Sequence, residues 1–358
     1  MKILYGVQGT GNGHISRARM LARHFRDSDI DVTWLFSGRP RDGFFDMDIF
    51  GDFLYRRGLT FHSENGGVSY AKTVVKNNPF QFISDVFSLD TTAYDLVITD
   101  FEPVTAWAAK RQRSRVIGLG HQYAFGHSIP RAGGNIIANT IIKIFAPSTV
   151  PLGLHWHHFG HAILPPIIDT EVKAQTTDND KSQQREKIVV YLPFENQARV
   201  QQLLTPITQH DFIIYSPELS DQQHGHIALR KTSLKGFKQD LATAQGVICN
   251  SGFELISECL ALGLPVLTKP QHGQMEQLSN AEALRTLGFA TTVNDLSTAA
   301  IEHWLGERQP AESMQYPDVA KRIVEWLTNG QQESAEMLSR QLWQSVSLPD
   351  YQAAIQPG

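Results

Sequence analysis

Three stretches of the chain hold residue types that can do chemistry together. The first is Gly9-Thr10-Gly11-Asn12-Gly13-His14, which follows a short apolar run and precedes apolar residues at helical spacing. Glycines there let the backbone approach a ligand, and a helix starting at that point offers unpaired N–H groups and partial positive charge. His14 adds a side chain whose ordinary pKa is near neutral, suited to taking a proton from an attacking hydroxyl. Asp100, in Thr99-Asp100-Phe101-Glu102-Pro103, is expected to orient or charge His14, and Glu102 is the alternative carboxylate. Gly11, Asn12, Gly13 and Glu102 would line the cleft. As a dinucleotide fingerprint the turn fails at one position, because His14 stands where Gly-x-Gly-x-x-Gly needs a small residue.

The second stretch is Cys249-Asn250-Ser251-Gly252-Phe253-Glu254-Leu255-Ile256-Ser257-Glu258. Ser251 is placed to cap the following helix, and the N–H groups of Gly252 and Phe253 could hold a diphosphate without a metal. Glu258, about two turns further on, could accept hydrogen bonds from both ribose hydroxyls. The third runs from Lys269 to Ala281 and is dense in hydrogen-bonding groups, among them Gln274, Glu276, Gln277 and Asn280. A sugar site needs such groups, since each buried polar group left unpaired costs about 1–3 kcal/mol. Each stretch also has a plainer reading: a tight turn, a surface carboxylate, a polar loop with a helix cap.

These residues need elements to place them. Residues 2–7 read as a buried strand, Ile15 to Phe25 as a helix, Val32 to Phe36 as a strand, and Leu96 to Thr99 and Val116 to Leu119 as two more. Strands alternating with helices imply a parallel sheet covered on both faces. Around 167–186 the chain turns polar, as a linker would. A second alternation follows with strands at Ile188 to Leu192, Phe212 to Tyr215, Gly246 to Cys249 and Pro265 to Leu267. The expected organisation is an α/β chain with two Rossmann-like, doubly wound domains facing a cleft, spanning 1–166 and 187–330. A tail, 331–358, carries a helix from Ala335 to Val346 that could pack back on the first domain.

The 358 residues suit two cores, and 41% hydrophobic with 19% charged residues is the balance of a folded chain rather than a disordered one. A net charge of -4 gives no global attraction to nucleic acid. Cys249 and Cys259 are the sole cysteines, so no disulfide framework is expected. The opening apolar run is too short for a signal peptide, and a cytoplasmic protein is expected. The apolar run from Ile136 to Phe145 could touch a lipid acceptor or the inner membrane surface; a buried helix explains it equally well. His155, His157, His158 and His161 could suggest zinc, but strand alternation would point them to different sides, and no metal or cofactor is expected.

The run from Ser251 to Ala281 resembles the donor-binding half of GT-B glycosyltransferases, particularly the N-acetylglucosaminyltransferases that make lipid II. The Gly-x-Gly-x-Gly-His opening and the His-Phe-Gly segment at Phe159 resemble a group of prokaryotic glycosyltransferases. The resemblance implies an acceptor domain followed by a donor domain, with the Ser251-Gly252 turn on the diphosphate and Glu258 on ribose. It also implies Glu276 and Gln277 on the sugar, Phe237 in the base pocket and UDP as the nucleotide. The partners would be a nucleotide-sugar donor and a lipid-linked or saccharide acceptor. Where the relatives have a second glycine-rich turn, this chain has Tyr191-Leu192-Pro193-Phe194-Glu195-Asn196.

An inverting, metal-independent sugar transfer is thus the leading expectation. An epimerase of the same fold would need the donor site alone. An NADP-dependent oxidoreductase draws support from Ser37-Gly38-Arg39-Pro40-Arg41, where serine and arginines could meet a 2'-phosphate. A non-catalytic sugar-nucleotide module would tolerate loss of His14.

Overall fold

The computed structural model describes residues 1–60, 63–64, 67–68, 78–133, 136–169 and 185–347. Two sheets dominate it. The first has strands β1 (Lys2–Gln8), β2 (Asp31–Ser37) and β3 (Leu54–Tyr55). After a small hairpin of β4 (Ser63–Glu64) and β5 (Gly67–Val68) it continues with β6 (Leu96–Asp100), β7 (Val116–Gly120) and β8 (Val150–Gly153). The order is β3-β2-β1-β6-β7-β8, all parallel. The strand centres are largely apolar because helices cover both faces. In β1, Ile3, Leu4, Tyr5 and Val7 are each 0% exposed, and burial of each such side chain stabilises by about 1.5–3 kcal/mol.

The second sheet contains β9 (Glu186–Tyr191), β10 (His210–Ser216), β11 (Gln222–His224), β12 (Ile227–Lys231), β13 (Gly246–Asn250), β14 (Val266–Lys269) and β15 (Thr291–Thr292). Its order is β11-β12-β10-β9-β13-β14-β15, parallel except for the edge pair β11–β12. In both sheets the chain reverses its direction of travel beside the first strand. Ligands of open α/β sheets bind at the carboxyl ends of the strands at such points. Here they lie between β1 and β6 and between β9 and β13.

The helices are α1 (Asn12–Arg26), α2 (Pro79–Ser88), α3 (Pro103–Gln112), α4 (His121–Ala124), α5 (Ile136–Phe145), α6 (Gln197–Leu204) and α7 (Leu234–Ala242). They continue with α8 (Phe253–Leu262), α9 (Met275–Leu287), α10 (Thr298–Glu307), α11 (Val319–Thr328) and α12 (Ala335–Gln344). Helix α1 buries Ile15, Ala18, Leu21 and Phe25. In α12, Leu338 and Leu342 are buried, while Ser339 Oγ and Trp343 Nε1 both donate to the Ile163 carbonyl, at 2.7 and 2.6 Å. Leu164, next in the chain, bridges to Leu154 just beyond β8. No helix among the described residues is long and apolar enough to cross a membrane.

The expected linker 167–186 starts inside packed structure. Ile167 and Ile168 are buried, Asp169 pairs with Arg23 and Lys238, and Glu186 opens β9; residues 170–184 lie outside the described residues.

Candidate active site

At the first switch point, β1 ends beside β6, with Val7 opposite Asp100. The loop after β1 brings α1 in with Gly11 as its N-cap, and His14 lies in the first turn. His14 Nδ1 is 2.7 Å from Asp100 Oδ1. Asp100 is fully buried and His14 is 14% exposed. Burial works to raise the Asp100 carboxyl, but Arg17 and His14 outweigh it and hold it below the usual carboxylate range. An ionised carboxylate only accepts, so the contact with Asp100 suits a proton on Nδ1 of His14, while Arg17 Nη2 also lies 3.0 Å from that nitrogen. In that tautomer Nε2 keeps the lone pair a general base requires.

Arg17, one turn after His14, escaped the sequence reading. It donates from Nε to Asp100 Oδ2 at 2.8 Å and from Nη2 to Oδ1 at 2.5 Å. Its remaining nitrogen crosses to Glu254 at the start of α8 in the second domain. Burial disfavours the guanidinium charge, but Asp100 and Glu254 more than restore it. Glu254 also lies against the opening of α1: a Cβ on Gly13 would stand 2.3 Å from its Oε2, so any larger residue there would have to displace that carboxylate.

Several expectations need correction. Glu102 is not a cleft carboxylate. It is completely buried and caps α3, accepting from the backbone N–H of Val104 and Thr105 and from the hydroxyls of Ser37 and Thr105. Burial pushes its carboxyl above the usual range, against those hydrogen bonds. Ser251 does not cap α8; Gly252 is the N-cap, and Ser251 Oγ bonds Thr268 Oγ1 at 2.9 Å inside the sheet edge. Side chains do cap α2, α3, α6, α7, α10, α11 and α12. The helices reaching the cleft, α1, α8 and α9, have no side-chain cap, which leaves their first N–H groups to a ligand.

Asn280 is not a free sugar ligand in this state. It is fully buried, takes a 2.6 Å contact from His121 Nε2 through Oδ1, and donates to the Ser251 carbonyl at 3.0 Å. His121 lies flat on the Phe253 ring, with centroids 4.1 Å apart. Glu276 accepts from Gln122 Nε2 at 3.0 Å, again across the two domains. Gln277 Oε1 accepts from the Gln271 backbone and orders the loop. Gln274 is the N-cap residue of α9, and its buried Oε1 has no partner; Gln122 Oε1 and Gln271 Nε2 are likewise buried and unspent. Glu258 is 17% exposed and paired with Lys238 at 3.3 Å; burial raises its carboxyl and Lys238 opposes that. Phe237 packs edge-on against Tyr191 and Tyr215. Asn12 Nδ2 reaches Tyr191 from the first domain.

The oxidoreductase residues are otherwise engaged. Ser37 is buried on Glu102, and Arg39 holds the glycine turn through the Gly9 carbonyl and Asn12 Oδ1. The histidine-rich segment is a turn rather than a strand. Nδ1 of His155, His157 and His158 accepts from the backbone N–H of Trp156, Phe159 and Gly160 in turn. Among the described residues no group of three or more His, Cys, Asp or Glu could hold a metal ion.

Comparison with solved structures gives the same architecture. A Streptomyces sp. SF2575 glycosyltransferase, SsfS6, complexed with thymidine diphosphate, aligns at TM-score 0.58 and 11% identity, covering 96% of this chain and 99% of that one. The spinosyn rhamnosyltransferase SpnG aligns at 0.54 and 13%, covering 96% and 100%. A Listeria monocytogenes protein assigned as a UDP-N-acetylglucosamine 2-epimerase aligns at 0.55 and 11%, covering 92% and 96%. At such identities the likeness concerns the fold, which is GT-B. Comparison with curated protein sequences returned no match. The profile of glycosyl transferase family 1 matches residues 1–309, and the chain belongs to that family of glycosyltransferases.

Proposed function

We propose that this glycosyltransferase moves a sugar, with inversion and without a bound metal, from a nucleoside diphosphate donor to an acceptor hydroxyl. The observation that carries the reading is the His14–Asp100 pair at the switch point of the first sheet, facing the uncapped start of α8. His14 Nε2 takes the acceptor proton as the oxygen attacks the anomeric carbon, and Asp100 stabilises the imidazolium that forms. Arg17 fixes the Asp100 carboxylate. The first-turn N–H groups of α8 receive the leaving diphosphate, which makes metal dispensable. Phe237 stacks on the base, Glu258 exchanges Lys238 for the ribose hydroxyls, and Glu276, Gln277 and Gln274 surround the sugar, with Asn280 behind them holding the Ser251 carbonyl. The unspent amide atoms of Gln122, Gln271 and Gln274 support a polyhydroxylated ligand at that loop. Residues 1–166 would then serve the acceptor and 187–330 the donor, with UDP as the nucleotide.

An acceptor carried on lipid, met at the inner face of the membrane in the cytoplasm, fits a feature the sequence reading passed over. Phe80, Ile83 and Phe87 on α2 are 82%, 52% and 64% exposed, with Arg111 against Phe87. Co-sedimentation with anionic vesicles tests it: protein that stays in the supernatant removes the membrane from the reading.

The donor is tested by thermal shift with UDP, GDP, TDP, ADP and NADP, with and without magnesium. A selective, magnesium-independent rise with one nucleoside diphosphate supports the proposal; a rise with NADP alone overturns it. A free epimerised nucleotide sugar as product, with no acceptor consumed, would instead identify an epimerase.

A further inference from the structure

At the second switch point, β9 leads into Leu192-Pro193-Phe194-Glu195-Asn196 rather than into a glycine-rich turn. An ion pair stands there instead. Lys269, the last residue of β14, has its Nζ 2.7 Å from Glu195 Oε1 in the loop after β9. The lysine side chain is 5% exposed and the glutamate 17%. The same carboxylate oxygen accepts from Asn250 Nδ2 at 3.4 Å. Asn250 ends β13 as the register partner of Lys269, and its Nδ2 also reaches the Lys269 carbonyl at 3.2 Å. Asn250 is 6% exposed, yet its Oδ1 has no partner. The next residues, Ser251 and Gly252, open the uncapped α8, and Ser251 N donates to the Lys269 carbonyl at 3.3 Å.

A buried ammonium is costly to desolvate and gains most when several acceptors surround it. Among the described residues Glu195 is the one side-chain acceptor bonded to it, and it comes from a loop rather than from the sheet. The pair therefore has a fixed cation, set at a strand end, and an exchangeable anion.

We infer that Lys269 binds the donor diphosphate, which takes the place of Glu195. This rests on the nucleotide-sugar reading and supplies the phosphate contact that the missing glycine turn would have made. Lys269 leads directly into the loop assigned to the sugar, so its contact falls at the β-phosphate. Asn250 Oδ1 accepts from a neighbouring hydroxyl of the donor.

The test is calorimetric. Affinity is measured for whichever of UDP, GDP and TDP binds the native protein best, and for the matching monophosphate. Lys269→Met is expected to weaken the diphosphate about tenfold or more and the monophosphate little, because hydrogen bonds to charged groups are the strong ones. Lys269→Arg, which keeps the charge, should retain most of the binding. Glu195→Gln, which removes the competing anion, should tighten it. If Lys269→Met binds the diphosphate like the native protein, or if Glu195→Gln weakens it, the inference is overturned. A native protein that binds none of the three overturns the donor reading itself, and this inference with it. Should Lys269→Met fail to fold, Glu195→Gln still decides, since tighter diphosphate binding supports the inference and weaker binding overturns it.

Discussion

Arg17 grips both carboxylate oxygens of Asp100, from Nε at 2.8 Å and Nη2 at 2.5 Å, with both side chains out of solvent. Removing one partner of such a pair leaves a buried charge uncompensated. Arg17→Met is expected to cost about 3–5 kcal/mol of stability, read as a lower urea midpoint with an unchanged slope.

His14 lies at the cleft edge and its loss leaves no buried ion unpaired. His14→Ala is expected to lower turnover by about a hundredfold to ten-thousandfold with donor affinity unchanged, checked by kinetics beside calorimetry. Full turnover in the variant would remove His14 from the chemistry; equal binding with no turnover would exclude a purely binding module.

The depressed Asp100 carboxyl has a stability signature. Its proton is held less tightly in the folded chain than in the unfolded one. The stabilisation is therefore fully present above the unfolded pKa, about 3.9, and is lost as pH falls through the native value. Urea midpoints of native protein and Asp100→Asn should converge as pH drops below about 4, and a constant gap would contradict this.

Glu102 is assigned to the start of α3, not to catalysis. Glu102→Ala should destabilise by about 0.5–2 kcal/mol for the cap, with more for the buried donors left unpaired, while the pH dependence of kcat keeps its shape. A lost acid-side limb would return Glu102 to the catalytic list.

Gly13 and Glu254 meet across the cleft. Gly13→Ala should push the Glu254 carboxylate off Arg17, so Gly13→Ala and Glu254→Ala remove the same contact. The two changes should then be non-additive in a double-mutant cycle by about 0.5–3 kcal/mol; additive effects would separate them.

The alternation of strands and helices was legible because it is written locally, in periods of two and 3.6 residues. The pairing of His14 with Asp100 was legible too, since both follow strands whose ends must meet at a switch point. Arg17 was not, because nothing in one sequence says which helical arginine lies over the end of β6. Ser251 misled for a related reason: a serine before Gly-Phe-Glu has the form of a cap, but its side chain points to Thr268 on the adjacent strand. The histidines of 155–158 were read with strand alternation, yet each ring accepts a nearby backbone N–H and bends the chain into turns.

Two donors from α12 converge on the Ile163 carbonyl, a few residues before the chain first leaves the β8 side of the molecule. After the second sheet the chain returns to the first domain, where α11 packs on α1 and α12 is bonded to this carbonyl. The tail is thereby part of the first domain in packing, although it follows the second in sequence. Removing both donors, by Ser339→Ala with Trp343→Phe, would leave the apolar contacts of α11 and α12 to hold the return.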